Sequence, residues 1–136
     1  PPMTEPMTDT TEKKIALVTG ASRGIGAATA ELLAAQGWHV ILTARSEGAL
    51  GQVDDKIHAA GGTATIAPFD LNDLDAIDRL GNAVGARWGR LDALILNAAQ
   101  LGTLAPVPHL DRKEWDKLIA INLTANWRLL AAFDPW

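Results

Sequence analysis

Three glycines, Gly20, Gly24 and Gly26, stand in the run Thr19-Gly20-Ala21-Ser22-Arg23-Gly24-Ile25-Gly26, between an apolar stretch and one with helical spacing. No other feature narrows the fold so far. The preceding run from Lys14 to Thr19 (KIALVT) has the unbroken apolar character of a strand buried on both faces. From Gly24 to about Gln36 the residues Ile25, Ala28, Leu32 and Leu33 recur at helical spacing, and Gly37 supplies a stop. A strand, a glycine turn and a helix, in that order, aim the free N–H groups of the helix's first turn into the loop, which makes an anion site. Gly20 is expected to permit the tight turn, Gly24 to let the main chain approach a pyrophosphate, and Gly26 to let helix and strand pack closely.

The pattern then repeats. Trp38 to Thr43 (WHVILT) reads as a second strand, and Leu50, Val53, Ile57 and Ala60 mark the inner face of a helix ending at Gly61-Gly62. Thr63 to Ala67 is a third strand, followed by a helix from about Asn72 with a stripe at Leu74, Ile77, Gly81, Val84 and Trp88. Leu91 to Leu96 gives a fourth strand. A loop through Pro106 and Pro108 leads to a last helix opened by Asp111 with Glu114 three residues on, a capping pattern. Trp115, Leu118, Ile119, Leu129, Leu130 and Phe133 predict its buried stripe, and Asn122 falls within it. Such alternation implies an α/β fold, a doubly wound parallel sheet of about four strands with flanking helices. Ligands of these sheets bind beyond the carboxyl ends of the strands, so the loops after Thr19, Thr43, Ala67 and Leu96 are where chemistry is expected.

The opening stretch, residues 1–13, reads as a disordered leader, and residues 14–136 as one soluble domain. At 136 residues and 48% hydrophobic content there is enough apolar material for a core. A net charge of −4 with scattered basic residues argues against nucleic acid or an anionic membrane as partner. No apolar run reaches the roughly 18 to 20 residues that span a bilayer. With no cysteine the chain has neither disulfides nor a thiolate metal site, and a cytoplasmic setting is the expectation. His39, His58 and His109 have no ligand-like spacing, so no metal is assigned.

The Thr-Gly-x-x-x-Gly-x-Gly spacing of residues 19–26 resembles the short-chain dehydrogenase/reductase family. The likeness runs from residue 14 to about 133. Three further landmarks carry it: Asp70 after the third strand, Asn97-Ala98-Ala99 after the fourth, and Asn122 in the last helix. Residues 97–100 read NAAQ where the family more often has NNAG. The resemblance implies a Rossmann-type dinucleotide-binding domain with Gly20, Ser22, Arg23, Gly24, Ile25 and Gly26 around the cofactor phosphates. It implies that Asp70 accepts a hydrogen bond from the adenine amino group, that Leu71 lines the adenine pocket, and that Asn97, Ala98 and Ala99 lie beside the ribose. Taken alone, Asp70 is also a plausible turn or cap residue ahead of Asn72.

Family members that use NAD carry an acidic residue at the end of the second strand. Here Ala44 stands in that place and Arg45 follows, which together with Arg23 implies NADP, its 2′-phosphate held by guanidinium groups. The alternative is that both arginines are solvated surface charges. Asn122 matches the family's catalytic asparagine, which distorts its helix and holds a water in the proton relay. Within a buried stripe it could equally be an amide satisfied by the core.

The resemblance implies hydride transfer between nicotinamide and a small carbonyl or alcohol substrate, with a tyrosine as acid or base, a lysine lowering its pKa and a serine orienting the substrate. This sequence has no tyrosine, its serines are Ser22 and Ser46, and no lysine follows Lys117. It is therefore expected to be the cofactor-binding half of a longer enzyme, inactive alone, with the fourth strand left as an open edge. The alternatives are a non-catalytic nucleotide-binding module and an inert fragment. The last helix takes part in the family's dimer interface, so a homo-oligomer is also implied.

Overall fold

The computed structural model describes residues 13–99, 106–109 and 111–134. The leader expected over 1–13 lies outside them except for Lys13. Ile15–Thr19 forms β1, and every residue of it is buried, as an apolar run without alternation requires when both faces of a sheet are covered. It lies between β2 (His39–Thr43) and β4 (Ala93–Ile95), with β3 (Thr63–Ile66) outside β2. All pairings are parallel. Parallel neighbours need long crossovers, supplied by α1 (Gly24–Ala35), α2 (Glu47–Ala59) and α3 (Leu74–Trp88). After β4 come a short 3₁₀ turn (Val107–His109), α4 (Arg112–Ile119), a π turn (Ala120–Thr124) and α5 (Ala125–Phe133). The architecture is the Rossmann-like one that the alternation predicts.

Each face of the sheet has its own core. On one, Val18, Val40 and Leu42 pack against Ala30 and Ala34 of α1 and Leu50, Val53 and Ile57 of α2. On the other, Ile15, Leu17 and Ile41 pack against Ile77 and Val84 of α3 and Ala125, Leu129 and Phe133 of α5. Enclosing one such aliphatic side chain contributes about 1.5–3 kcal/mol relative to leaving it in water. The fourth strand is shorter than residues 91–96. Asp92 closes its start by donating its N–H to the Ile15 carbonyl at 2.9 Å and accepting from the Ile15 N–H on Oδ2 at 2.8 Å.

The expected face of α1 is wrong, and that of the last helix is right at Leu129 and Phe133 but not at Trp115, Ile119 and Leu130. In α1 the buried residues are Gly26, Ala27, Ala30 and Ala34, whereas Ile25 and Leu32 are 77% and 60% exposed. Gly26 has to face the sheet, and that requirement rotates the larger side chains outward. In the last helix Trp115, Ile119 and Leu130 are exposed, and the inward residues are Ile121, Ala125, Leu129 and Phe133. The π turn takes up one extra residue, and at 100° per residue the phase of the stripe slips by one position. The expected stripe of α3 is present, its start moved to Leu74 because Asp73 caps it by accepting from Ala76 N–H at 3.1 Å. Ala60 is exposed at the end of α2. Asp111 caps α4 as expected, accepting from Glu114 N–H at 3.3 Å. Among the described residues no helix is long and apolar enough to cross a membrane.

Helices α3 and α5 meet where Gly81 faces Ala132; a Cβ on Gly81 would lie 3.1 Å from the Ala132 carbonyl oxygen. Beside that contact Arg128 grips Asp78 with both arms of its guanidinium, Nε to Oδ1 at 3.0 Å and Nη2 to Oδ2. That hydrogen bonding holds the Asp78 carboxyl below its ordinary value. A carboxyl depressed in the folded state gives stability that is present above the unfolded value, about 3.9, and is lost as pH falls through the folded one. Arg128→Leu should therefore lower the Tm at pH 7, and the difference between variant and parent should shrink as pH falls below about 3.9. A difference that persists undiminished at pH 2 would assign the effect to packing.

Candidate functional site

The carboxyl ends of the four strands open onto a cleft of about 860 Å³, within the range of small-molecule sites. The first loop lines it with Gly20, Ser22, Arg23, Gly24 and Ile25, and the second with Thr43, Ala44, Arg45, Ser46 and Ala49. Phe69, Asp70 and Leu71 line it after β3, Asn97, Ala98 and Ala99 after β4, and Ile121 from the π turn. Eleven of the expected site residues thus share one cavity. Gly26 and Asn122 are not among its lining residues.

The glycine turn has the geometry of an anion cradle. Gly20 and Gly24 have φ of +63° and +57°, a region costly for residues with a Cβ. A Cβ on Gly20 would lie 2.9 Å from Ala98 Cα, and one on Gly26 only 2.1 Å from the Gly20 carbonyl oxygen and 2.6 Å from Asn97 Nδ2. A Cβ on Gly24 would have nothing within 4 Å, so it is the positive φ and not crowding that favours glycine there. Helix α1 has no acidic residue in its first turn, and its N-cap, Arg23, makes no side-chain cap bond. Its first N–H groups therefore keep their affinity for an anion.

Thr19 joins this cradle to the loop after β4. Its wholly buried hydroxyl accepts from Asn97 N–H and Ala98 N–H, both at 3.0 Å, and donates to the Ile95 carbonyl at 3.3 Å. The Asn97 side chain returns the link, Nδ2 donating to the Gly20 carbonyl at 3.2 Å. The second loop is fixed from both sides: Ala21 N–H donates to the Thr43 carbonyl at 3.1 Å and Phe69 N–H to the Ala44 carbonyl at 3.0 Å. Ser46 caps α2 by accepting from Ala49 N–H at 3.2 Å. Arg23 and Arg45 are exposed on the cleft, and neither is engaged by a carboxylate among the described residues. Asp70 forms a local turn, Oδ1 accepting from Asn72 N–H at 2.9 Å and Asn72 Nδ2 at 3.2 Å. The bland reading of Asp70 as a turn residue is therefore realised, on the wall of the cleft.

Asn122 is exposed, not within the buried stripe. It sits inside the π turn, the kind of helix distortion that the resemblance implies for this asparagine, and its carbonyl accepts from Asn126 Nδ2 at 3.0 Å. Ile121 takes the inward position instead.

Residues 14–135 match the sequence model of the family described as short chain dehydrogenase. The chain belongs to that family. A fatty acyl-CoA reductase of Acinetobacter baylyi is 38% identical over 123 residues, covering 90% of this chain and 42% of that protein. A metagenomic short-chain oxidoreductase solved in complex with NADP is 46% identical and superposes with a TM-score of 0.88, over 90% of this chain and 55% of that one. An NAD+-bound xylitol dehydrogenase is 30% identical with a TM-score of 0.82, over 88% and 46%. This short-chain dehydrogenase sequence spans about half the length of the relatives it matches.

Sequence reasoning about this family member overlooked Thr19, which looks like an ordinary strand threonine until the two loops meet around its hydroxyl. It also overlooked Phe69, Ser46 and Ile121 as lining residues. For Phe69 and Ser46 a signal existed, since both lie in loops at the carboxyl ends of strands. For Ile121 none did, because its position depends on the π turn.

Proposed function

We propose that this chain binds NADP across the cleft, as the dinucleotide-binding domain, residues 14–136, of an oxidoreductase acting on a small carbonyl or alcohol. Gly20, Ser22, Gly24 and Ile25 cradle the pyrophosphate at the start of α1, and Gly26 lets that helix close onto the turn. Arg23 and Arg45 take the 2′-phosphate, Asp70 and Leu71 the adenine, and Asn97, Ala98 and Ala99 the ribose. Asn122 belongs to the proton relay through its π turn. When bound, the cofactor supplies the hydride-transferring nicotinamide.

The observation that carries the choice of cofactor is the pair Arg23 and Arg45 on one cleft, free of carboxylates among the described residues, with Ala44 where an acidic residue would serve NAD. A charge-assisted pair is worth about 1.5–3 kcal/mol, less where solvent screens it. The relative solved with NADP supports this reading; since another is solved with NAD+, it rests on the arginines rather than on the family.

Titration of the chain, followed by energy transfer from tryptophan to the reduced nicotinamide, should give NADPH an affinity at least about tenfold above NADH. That advantage should shrink as salt is raised. Equal or NADH-favoured binding would overturn the assignment of the arginines.

A further inference from the structure

The end of the sheet opposite the cleft holds a polar cluster that nucleotide binding does not use. His39 opens β2, and its ring is bonded at both nitrogens, Nδ1 to Thr63 Oγ1 and Nε2 to Thr65 Oγ1, each at 2.9 Å. Both threonines belong to β3, the outer strand, where His39 pairs with Thr63. Lys13 Nζ donates to the same Thr63 Oγ1 at 3.0 Å. Either neutral tautomer fits: a threonine hydroxyl has one hydrogen to give and two lone pairs to receive, so Thr63 Oγ1 takes the Lys13 ammonium whichever ring nitrogen carries the proton. The neutral ring then accepts at one end and donates at the other, with every partner satisfied.

We propose that His39 is a pH-sensitive latch between β2 and β3, holding the outer strand while neutral and loosening it when protonated. A second ring proton would bring an imidazolium against the oxygen that already holds the Lys13 ammonium, setting two like charges on one hydroxyl. The charged groups facing the ring are Lys13 from the segment before β1, Arg87 from α3, and His58 and Asp54 from α2. Of these only Asp54 favours protonation, and it is already paired with His58 at 3.1 Å. Trp88 covers the ring at 5.4 Å between centroids, with Arg87 lying over its indole at 4.6 Å.

Burial first, then Arg87 and Lys13, hold the imidazole below its ordinary value of 6.5. The unfolded chain therefore takes up this proton before the folded one. The latch is at full strength above about pH 6.5, and its contribution falls as pH drops from there to the depressed folded value. β3 leads through Ala67 and Pro68 to Phe69, Asp70 and Leu71, so loosening it acts on one wall of the cleft.

The test is thermal unfolding of the cofactor-free chain between pH 5.5 and 7.5 beside His39→Gln, with a proton NMR titration of the histidine rings. The parent Tm should fall over that range, and the variant's by less than half as much. The His39 ring should titrate below 6.5, and Arg87→Gln should raise its midpoint. Parallel slopes for parent and variant, or a ring titrating at or above 6.5, would overturn the latch. Should His39→Gln fail to fold, the ring titration and its response to Arg87→Gln decide the matter. None of these readouts involves NADPH, so the latch and the cofactor assignment stand or fall separately.

Discussion

Replacing Thr19 by valine should cost the chain about 2–4 kcal/mol of stability and lower its Tm by roughly 10 °C, while Thr19→Ser stays within a few degrees of the parent. Valine matches threonine in shape, so the change isolates the hydroxyl. That hydroxyl receives two main-chain N–H groups and donates to one carbonyl inside the protein. Without it Ala98 N–H has no acceptor, and Asn97 N–H keeps only its 3.2 Å contact with the Ile95 carbonyl. An enclosed donor left unpaired costs about 1–3 kcal/mol, which outweighs the gain from burying a methyl group in place of a hydroxyl. The loop after β4 should then detach from the glycine turn, and on the proposed assignment NADPH affinity should fall with it. A valine variant as stable as the parent would show that the two loops are held together by something other than this hydroxyl.

Gly26→Ala is expected to be destabilising by about 2–3 kcal/mol, the opposite of the usual result for glycine in a helix. Alanine normally stabilises a helix interior by about 0.5–1 kcal/mol. Here the added methyl would meet the Gly20 carbonyl oxygen at 2.1 Å and Asn97 Nδ2 at 2.6 Å, and the first of these is main chain that cannot swing away. The cradle must open to admit it, so on the proposed assignment NADPH binding should be lost along with stability. Gly51 of α2 is the control: nothing lies within 4 Å of the position its Cβ would take, and Gly51→Ala should raise stability by about 0.5 kcal/mol. Thermal unfolding of the two variants should therefore move in opposite directions. If both rise, the close approach at Gly26 is not what requires glycine there.

The alternation of strands and helices was legible because the strands are enclosed on both faces, and continuous apolar runs such as IALVT survive any local rearrangement. The glycine turn was legible for a similar reason, since positive φ at Gly20 and Gly24 and the contact at Gly26 leave little freedom in residue type. What could not be read was the rotation of helices about their own axes. In α1 the eye follows Ile25 and Leu32, but the helix is turned by what its smallest residue must touch, and alanines form the contact face. In the last helix the π turn shifts the phase by one residue, bringing Ile121 inward and leaving Asn122 exposed. Neither effect leaves a mark in composition or period, because each arises from a contact between segments far apart in the chain.

The loop after β2 is pinned through its main chain, at the Thr43 and Ala44 carbonyls, by donors from the loops on either side. Nothing in that attachment depends on which side chains occupy positions 44 and 45. On the proposed assignment those two positions choose between the nicotinamide dinucleotides, while the grip on the pyrophosphate is built elsewhere, around Thr19, Gly20 and Gly26. A lineage on this plan can therefore exchange one cofactor for the other by editing a single strand end, inheriting the rest of the apparatus unaltered.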